Sequence, residues 1–309
     1  MKIVVFGSTG FLGKNLCPKI TAQGIDLIQP PRQEANLENI DDCLSILRRY
    51  KPDTIINLAA YSGGIGANQR YPADFYFRNT IMTANVFEAA ARSQCVERIY
   101  YPIGGCSYPA KAANPIDEEQ LWTGFPQAES AAYSLSKLLG TVAGSAYERQ
   151  YGIRTQAVIP GNMYGEHDNF ELASSHVVAA FIRKFVDAVD RGLSVVDAWG
   201  TGRAIRDFVY VGDVADVIVR QVVSKETYPI MNISSGVPTS IRELAALVSR
   251  ITSFRGDVNW DTSKSDGQLE KLFSISRLTT YGFSCPTTLE EGLTRTLSWY
   301  RSSPTGLRV

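Results

Sequence analysis

The stretch KIVVFGSTGFLG, residues 2–13, determines the fold expected for this chain of 309 residues. A short apolar strand runs directly into Gly7, Gly10 and Gly13, and a helical pattern begins at Phe11. In such a strand–loop–helix unit the first glycine permits a tight turn, the second lets the backbone approach a pyrophosphate, and the third allows close packing of the helix on the strand. Free N–H groups at the helix N-terminus then face the anion. The spacing predicts a dinucleotide site at this turn.

Strands and helices continue to alternate through the first half of the chain. Further β-rich runs are IDLIQ (25–29), DTIINLAA (53–60), RIYYPI (98–103) and RTQAVIP (154–160). Their alternation with helical segments predicts an α/β fold, a Rossmann-type doubly wound parallel sheet covered by helices on both faces. A long helix is expected near residues 73–93, and its spacing places five apolar side chains on one face: Phe77, Ile81, Ala84, Phe87 and Ala91.

The alternation stops after Pro160, and the loops that follow are rich in Gly, Asn and Asp. We therefore predict a dinucleotide-binding domain at residues 1–161, to which the chain returns at about 209–234. A smaller α/β lobe, formed by residues 162–208 and 235–309, would bind the substrate.

The composition is typical of a soluble globular enzyme, with 44% hydrophobic and 20% charged residues. The 31 basic side chains balance the 31 acidic ones, which gives no sign of a nucleic-acid or membrane surface. The opening MKIVVFG is too short for a signal peptide, and no run of about 18 apolar residues could span a membrane. The five cysteines are scattered and there are only two histidines, so we expect no metal site and a reduced, cytoplasmic setting.

The second strand should end where the ribose of the dinucleotide binds. An acidic residue there would hold the ribose hydroxyls of NAD. In this chain the strand runs into LIQPPRQEANL, which places Arg32 just beyond its end. A guanidinium suits the 2′-phosphate of NADP, so the sequence favours NADP. A solvated Arg32, with Glu34 holding the ribose, would instead indicate NAD.

The segment YSLSK puts Tyr133 and Lys137 four residues apart, on one face of a helix expected at 129–150. An ammonium beside a phenol favours the phenolate, so the pKa of this tyrosine should fall from about 10. Tyr133 could then give or take a proton near neutral pH. Downstream of a glycine loop and alternating strands and helices, the pair indicates a dinucleotide-dependent enzyme.

The chain resembles the extended short-chain dehydrogenases/reductases and, more closely, the GDP-L-fucose synthase family, which epimerises and then reduces a GDP-4-keto-6-deoxymannose. The similarity covers nearly the whole chain. Besides the glycine loop it rests on NLAAYSGGIGAN (57–68), YPADF (71–75), CSYP (106–109), YSLSK (133–137), NMYGEHDNF (162–170), SSHVV (174–178), WGTGRAIRDFVYVGDV (199–214) and DTSKSDGQLEKL (261–272).

The resemblance implies roles for individual residues. Tyr133 and Lys137 would drive hydride transfer, and Cys106 and His176 would form the acid/base pair that epimerises carbons three and five. The implied cofactor contacts are Gly7, Thr9, Gly10, Phe11, Leu12, Gly13, Arg32, Asn36, Leu37, Leu58, Ala59, Ala60, Asn79, Ile103, Lys137, Pro160, Asn162 and Met163. The implied substrate contacts are Gly64, Cys106, Ser107, Tyr133, Asn162, His176, Lys184, Trp199, Arg206, Lys264, Asp266 and Lys271.

Simple chemistry agrees with an acid/base pair beside a ketone. A 4-keto group acidifies the protons on both neighbouring carbons, and inversion needs one group to remove a proton and another, on the opposite face, to return it. A thiol and an imidazole, with ordinary pKa values of about 8.5 and 6.5, are plausible partners. Outside this context Cys106 would be read as a small buried side chain and His176 as a hydrogen-bonded helix residue.

The stretch IYYPIGGCSYP, residues 99–109, departs from the family pattern. Relatives carry Ser or Thr four residues before the tyrosine of YP, and this chain has Gly104 there. Loss of a donor that binds the substrate carbonyl typically costs about 10²–10³ in rate. Strand alternation should direct Ser107 away from the site, whereas a water or Ser134 could supply a hydroxyl. Three functions stay open: a complete epimerase–reductase, an enzyme with only one of these activities, and a non-catalytic dinucleotide sensor.

The resemblance also implies the partners. The expected substrate is a nucleotide sugar, GDP-linked, whose diphosphate would be bound by Arg206 and Lys271, since paired cations suit phosphate oxygens. The long helices at 73–93 and 129–150 resemble those that pair in dimers of the superfamily, so a homodimer is expected.

Overall fold

The computed structural model describes residues 1–303, and its centre is a sheet of six parallel strands. The strands are β1 (Lys2–Phe6), β2 (Asp26–Ile28), β3 (Thr54–Asn57), β4 (Arg98–Pro102), β5 (Arg154–Pro160) and β9 (Met231–Ile233). Their order across the sheet is β2-β1-β3-β4-β5-β9, so the chain moves outward from β1 in both directions. The predicted Rossmann-type sheet is confirmed, and its carboxyl edge carries the loops in which such sheets bind ligands.

Helices cover both faces of this sheet. The helices are α1 (Phe11–Ala22), α2 (Ile40–Tyr50), α3 (Ile65–Arg70), α4 (Pro72–Ser93), α5 (Ala131–Tyr151), α6 (Val177–Asp190), α7 (Val211–Ser224), α8 (Ile241–Thr252), α9 (Ser276–Thr280) and α10 (Leu289–Ser302). Buried side chains of α2, α4 and α5 form one core cluster with the sheet, and those of α1 and α7 form a second on the other face. No helix within residues 1–303 is both long and apolar enough to cross a bilayer.

The alternation of side chains along β1 explains why the strand is apolar throughout. Val4 and Phe6 pack in the cluster with α2 and α4, whereas Ile3 and Val5 pack in the cluster with α1 and α7. Successive strand residues point to opposite faces, so a strand buried on both sides needs a continuous apolar run.

Further short strands lie outside the large sheet, in or beside the segments predicted to form the second lobe. They are β6 (Asn162–Tyr164), β7 (Val195–Trp199), β8 (Ile205–Tyr210), β10 (Pro238–Ser240), β11 (Asp257–Asp261) and β12 (Glu270–Lys271). β8 pairs with β6, β10 and β12, and β7 pairs with β11. Phe185, Leu244 and Leu293, from α6, α8 and α10, form a third core cluster under these strands.

One part of the segment assigned to the second lobe packs elsewhere. Leu278 and Phe283, within the predicted 235–309 segment, are buried in the cluster with α1 and α7 of the first lobe. Residues 304–309 of that segment lie outside the described residues.

The apolar face predicted for the long helix is not its buried face. In α4 the buried apolar side chains include Phe75, Val86 and Phe87, and Phe77 is 61% exposed. Of the five predicted positions only Phe87 is buried, and Ala84 is exposed. α4 therefore has apolar side chains on two faces, and the predicted one is only partly covered by residues 1–303, since Phe77 and Ala84 stay exposed.

Candidate active site

The loop with Gly7, Gly10 and Gly13 forms a concave backbone surface, called the cradle below, in which Gly7 and Gly13 leave no room for a side chain. Gly7 has φ +82° and lies so close to the loop after β3 that an added Cβ would be 2.7 Å from the backbone nitrogen of Ala59. A Cβ on Gly13 would overlap the carbonyl oxygen of Gly7, so the third glycine lets α1 pack against the loop. Gly10 is the N-cap of α1 and no side chain caps the helix, which leaves its N-terminal N–H groups to bind an anion. These features fit a dinucleotide pyrophosphate.

The other predicted cofactor residues follow the carboxyl ends of the same strands. Arg32 and Asn36 are exposed in the segment after β2, while Leu37 is buried. Asn79 on α4 is buried, and its side-chain amide bonds to the backbone N–H and carbonyl of Tyr61. It therefore holds the loop after β3 in place. The remaining positions lie after β1, β3 and β4 or at the end of β5 and in β6: Thr9, Phe11, Leu12, Leu58, Ala60, Ile103, Pro160, Asn162 and Met163.

The predicted Tyr133–Lys137 pair lies at the start of α5. Lys137 is only 4% exposed, and its ammonium lies over the ring of Tyr101, 4.3 Å from the ring centroid. Burial raises the pKa of Tyr133, and the neighbouring Cys106 and Tyr101 raise it further. The expected lowering of this pKa is therefore wrong for the protein alone. The phenol keeps its proton at neutral pH.

Cys106 lies in a short 3₁₀ turn, Gly105–Ser107, directly after β4. A Cβ on Gly104 would be 3.1 Å from the sulfur of Cys106 and 3.3 Å from Cε1 of Tyr133, so the thiol and the phenol border the same small space. The hydroxyl of Ser107 donates to the carbonyl of Ser134 at 3.0 Å. Ser107 does point away from the site, as expected, but a helical turn rather than strand alternation is the reason.

The hydroxyl of Ser134 is also used elsewhere, because it donates to the hydroxyl of Ser130 on the same helix, at 3.4 Å. Ser134 itself is fully buried. Neither neighbouring serine therefore replaces the hydroxyl that Gly104 lacks.

His176 is the N-cap residue of α6 and ends a loop that packs against the segment before α3. A Cβ on Gly64 would be 3.4 Å from the carbonyl oxygen of Ser174, so the Gly64 segment touches the residues just before the histidine. His176 is exposed to solvent, yet desolvation by the surrounding protein lowers the pKa of its imidazole. The arrangement of Cys106 and His176 across a sugar ring stays a prediction.

Two cations come together opposite the Cys106 turn. Lys271 on β12 pairs with Arg206 on β8 in the strand register, so their backbones are neighbours. Burial lowers the pKa of Lys271, the charge of Arg206 lowers it further, and Cys106 raises it. Burial also lowers the pKa of Arg206, against the opposing effect of Asp266. Two crowded ammonium and guanidinium groups favour a polyanionic ligand between them.

The remaining predicted substrate residues surround these cations or support their loops. Trp199 is 69% exposed, and the ammonium of Lys264 lies 5.9 Å from its ring centroid. Asp266 accepts from the backbone N–H and the hydroxyl of Thr201, both at 2.6 Å, so it fixes the turn after β7. Asn162 donates to the carbonyl of Asp207 at 2.9 Å. Lys184 donates to the carbonyl of Asp197 at 2.8 Å, on β7.

These features can now be compared with known proteins. Residues 3–234 match the NAD dependent epimerase/dehydratase family. The chain belongs to this family.

Relatives within the NAD dependent epimerase/dehydratase family cover almost the whole chain. The GDP-L-fucose synthase of Sinorhizobium fredii is 38% identical over 302 residues, 98% of this chain and 96% of that protein. A solved GDP-L-fucose synthetase from Naegleria fowleri bound to NADP has a TM-score of 0.89 at 26% identity and covers 99% of this chain and 94% of that chain. A GDP-6-OMe-4-keto-L-xylo-heptose reductase from C. jejuni also has a TM-score of 0.89, at 25% identity and 97% coverage of both chains. The predicted resemblance is confirmed.

Two residues near the site were not predicted from the sequence. Phe273, just after β12, packs on the Cys106 turn, because a Cβ on Gly105 would be 2.6 Å from its ring. Asp168 is 5% exposed in the loop that leads to His176, and burial raises its pKa to about 7. Phe273 gave no signal in the sequence, whereas Asp168 lies within the quoted NMYGEHDNF segment.

Proposed function

We propose that the protein is an NADP-dependent epimerase and reductase of a GDP-linked 4-keto-6-deoxy sugar. One observation carries the proposal: the thiol of Cys106 and the phenol of Tyr133 border a single space at Gly104. Reduction of a ketone needs a proton donor such as the phenol, and epimerisation beside the ketone needs a further acid/base group such as the thiol. A relative of 38% identity over nearly the whole chain, named GDP-L-fucose synthase, supports the same substrate class.

The cradle of Gly7, Gly10 and Gly13 would hold the pyrophosphate of NADP at the N-terminus of α1. Arg32, exposed beyond β2, would pair with the 2′-phosphate. When bound, the reduced dinucleotide supplies the hydride for the ketone. Lys137, buried one helical turn after Tyr133, would keep a positive charge beside the reacting centre.

Tyr133 would donate the proton that the carbonyl oxygen takes up during reduction. Burial raises the pKa of Tyr133 above its ordinary value, so the phenol is protonated throughout the neutral range and can act as the general acid. The carbonyl then becomes a hydroxyl, and the phenolate that remains is favoured by the nearby Lys137 ammonium.

Cys106 and His176 would exchange the protons next to the ketone. The lowered pKa of His176 leaves the imidazole neutral at pH 7, and a neutral imidazole can accept a proton through its free ring nitrogen. A thiol on the other side of the ring can give one back, so the net result is inversion without loss of a proton. Gly64, against the His176 loop, would limit the space for the sugar.

Arg206 and Lys271 would bind the diphosphate of the nucleotide sugar. Their neighbouring backbones on β8 and β12 present two cations to one ligand, and their partial burial strengthens the attraction. The exposed ring of Trp199, with Lys264 over it, offers a flat apolar surface for the base. Asp266, Asn162 and Lys184 would support this surface through the backbone bonds described above.

The direct test incubates the protein with GDP-4-keto-6-deoxymannose and NADPH and follows the NADPH absorbance. We expect NADPH consumption that depends on the sugar, and we expect Tyr133→Phe to reduce kcat by about 10²–10⁴ because general acid catalysis is lost. The absence of sugar-dependent NADPH consumption by the unmodified protein would contradict the proposal.

We further propose that two chains associate through α4 and α5. These helices pack side by side, and both expose apolar side chains, with Phe77 61% and Val142 52% exposed. Pairing of these helices with a second copy would remove this surface from water. Sedimentation as a monomer at micromolar concentration would contradict this.

We also propose a cytoplasmic location, supported by the five cysteines, which are all free thiols in the structure. Recovery of the protein in a periplasmic or secreted fraction would contradict it.

A further inference from the structure

We propose that Tyr101 is a positioning residue whose ring holds the ammonium of Lys137 in the candidate active site. Tyr101 is fully buried on β4, so it cannot contact a substrate and acts only through Lys137. The placement of the ammonium stands on the structure alone, and its effect on catalysis rests on the reduction proposed above.

Lys137 is a buried cation without a carboxylate partner. It is 4% exposed, and none of the ion pairs found within residues 1–303 includes it. Burial of an unpaired ammonium is costly, so another group must stabilise it. The ring of Tyr101 lies 4.3 Å from its Nζ, within the distance at which the negative face of an aromatic ring attracts a cation. This attraction is strongest where water is excluded.

The ring of Tyr101 is itself fixed from its hydroxyl end. Its hydroxyl forms a 2.8 Å hydrogen bond with the hydroxyl of Thr83 on α4, and both side chains are buried. The bond ties the ring to the helix that also carries Asn79, which holds the loop after β3. The ring therefore has a defined orientation beneath Lys137.

Gly140 provides the room for this ring on α5. A Cβ at Gly140 would be 2.5 Å from Cζ and 2.7 Å from Cδ1 of Tyr101, so any side chain there would displace the ring. Gly140 comes three residues after Lys137 and seven after Tyr133, so the three residues share one face of the helix. Because Gly140 has no side chain, the ring of Tyr101 packs directly against the face of α5 that carries Lys137 and Tyr133.

The position of Tyr101 along β4 also connects it to the thiol. β4 ends at Pro102, and the chain then passes through Gly104 into the Cys106 turn. A displaced ring would move the Lys137 ammonium relative to the phenol of Tyr133. Tyr100, the neighbouring residue, is equally buried but packs in the cluster on the opposite face of the sheet, which makes it a matched control.

The placement can be tested by NMR with ¹³Cε-labelled lysine, without cofactor or substrate. Protons above an aromatic ring are shifted upfield, so an upfield lysine Hε signal should vanish in Lys137→Ala, which distinguishes it from any signal of Lys264 over Trp199. We expect the shift to persist in Tyr101→Phe and Tyr100→Leu and to disappear in Tyr101→Leu. A wild-type spectrum without an upfield signal that is lost in Lys137→Ala would overturn the proposal, as would persistence of that signal in Tyr101→Leu. If Tyr101→Leu does not fold, the comparison of the wild type with Lys137→Ala still shows whether the Lys137 side chain lies over an aromatic ring.

The effect on catalysis is tested by the kinetics of NADPH consumption. We expect Tyr101→Leu to lower kcat by roughly tenfold or more with little change in KM for the nucleotide sugar, because a desolvated cation–π contact is lost. Tyr101→Phe, which keeps the ring, should restore kcat. Equal losses in Tyr101→Leu and Tyr100→Leu would reduce Tyr101 to a structural role and overturn the proposal. A wild-type protein that does not consume NADPH refutes the proposed function, and the NMR result still decides the position of Lys137.

Discussion

Gly104 stands where the resemblance to the GDP-L-fucose synthase family implies a Ser or Thr. A side chain there would touch both the sulfur of Cys106 and the ring of Tyr133. The two serines nearest in sequence, Ser107 and Ser134, direct their hydroxyls to other partners. The site therefore lacks a side-chain hydroxyl at this position, and its reductase activity should be limited by that loss.

Restoration of the hydroxyl should raise the rate of reduction. In Gly104→Ser the new Cβ would be 3.1 Å from the Cys106 sulfur, so the thiol must shift by a few tenths of an ångström, which a side-chain terminus can do. We expect kcat for NADPH consumption to rise at least tenfold, since a preorganised donor at such a site is worth about 10²–10³. Gly104→Ala, which adds the same Cβ without a hydroxyl, is the control. Equal rates for the two variants would show that the missing donor does not limit reduction.

Some residues of the site could be predicted from the sequence, namely those whose type and spacing together are typical of one function. The spacing of Gly7, Gly10 and Gly13 and that of Tyr133 and Lys137 suffice to predict a cradle and a helical pair. The direction of the Tyr133 pKa was not predictable, because burial raises it and sequence spacing carries no information about burial. The contact between Lys137 and Tyr101 joins a helix to a strand, so no local pattern reveals it.

Among the elements, the loop from β6 to α6 depends on a buried carboxyl group. Asp168 is 5% exposed and accepts the backbone N–H of Asn169 at 2.7 Å. The side-chain amide of Asn169 then donates to the hydroxyl of Ser174, two residues before His176. The protonation state of Asp168 should therefore affect the hydrogen bonds that hold the loop before His176.

Asp168 should make the folding stability depend on pH. Burial raises its pKa from 3.8 to about 7, so the folded state keeps the proton that the unfolded state releases near pH 4. Its stabilising contribution is complete below pH 4 and is lost as the pH rises to about 7, by about 1.4 kcal/mol per pH unit at most. Asp168→Asn keeps an acceptor for Asn169, so urea unfolding should show it gaining on the wild type between pH 4 and 7. Parallel pH profiles for the two proteins would contradict this.

The elements also show what periodicity can and cannot predict. The apolar positions at 77, 81, 84, 87 and 91 do follow a helical spacing, and α4 is a helix over Pro72–Ser93. A hydrophobic period identifies an apolar face without stating what covers it. In α4 the covered face carries Phe75 and Val86, whereas Phe77 and Ala84 of the predicted face are exposed, which is what a second chain would require.

At the scale of the whole molecule, the segment around the Cys106 turn packs against residues that are distant in the sequence. Phe273 of the second lobe packs on Gly105, and the hydroxyl of Tyr108 donates to the side chain of Asn232 on β9 at 2.6 Å. The backbone N–H of Asn232 in turn donates to Glu118, so the Cys106 turn is anchored to the far side of the sheet. These contacts join residues more than 100 positions apart, and a single sequence without its fold does not predict them.

The central claim is that one site combines proton exchange by Cys106 and His176 with reduction assisted by Tyr133. The most direct measurement is the deuterium content of the product formed in deuterium oxide from GDP-4-keto-6-deoxymannose and NADPH. We predict deuterium at carbons three and five with the wild-type protein, and label uptake slowed by about 10²–10⁴ in Cys106→Ser because its acid/base group is weakened. A reduced product without deuterium at either carbon would contradict the account.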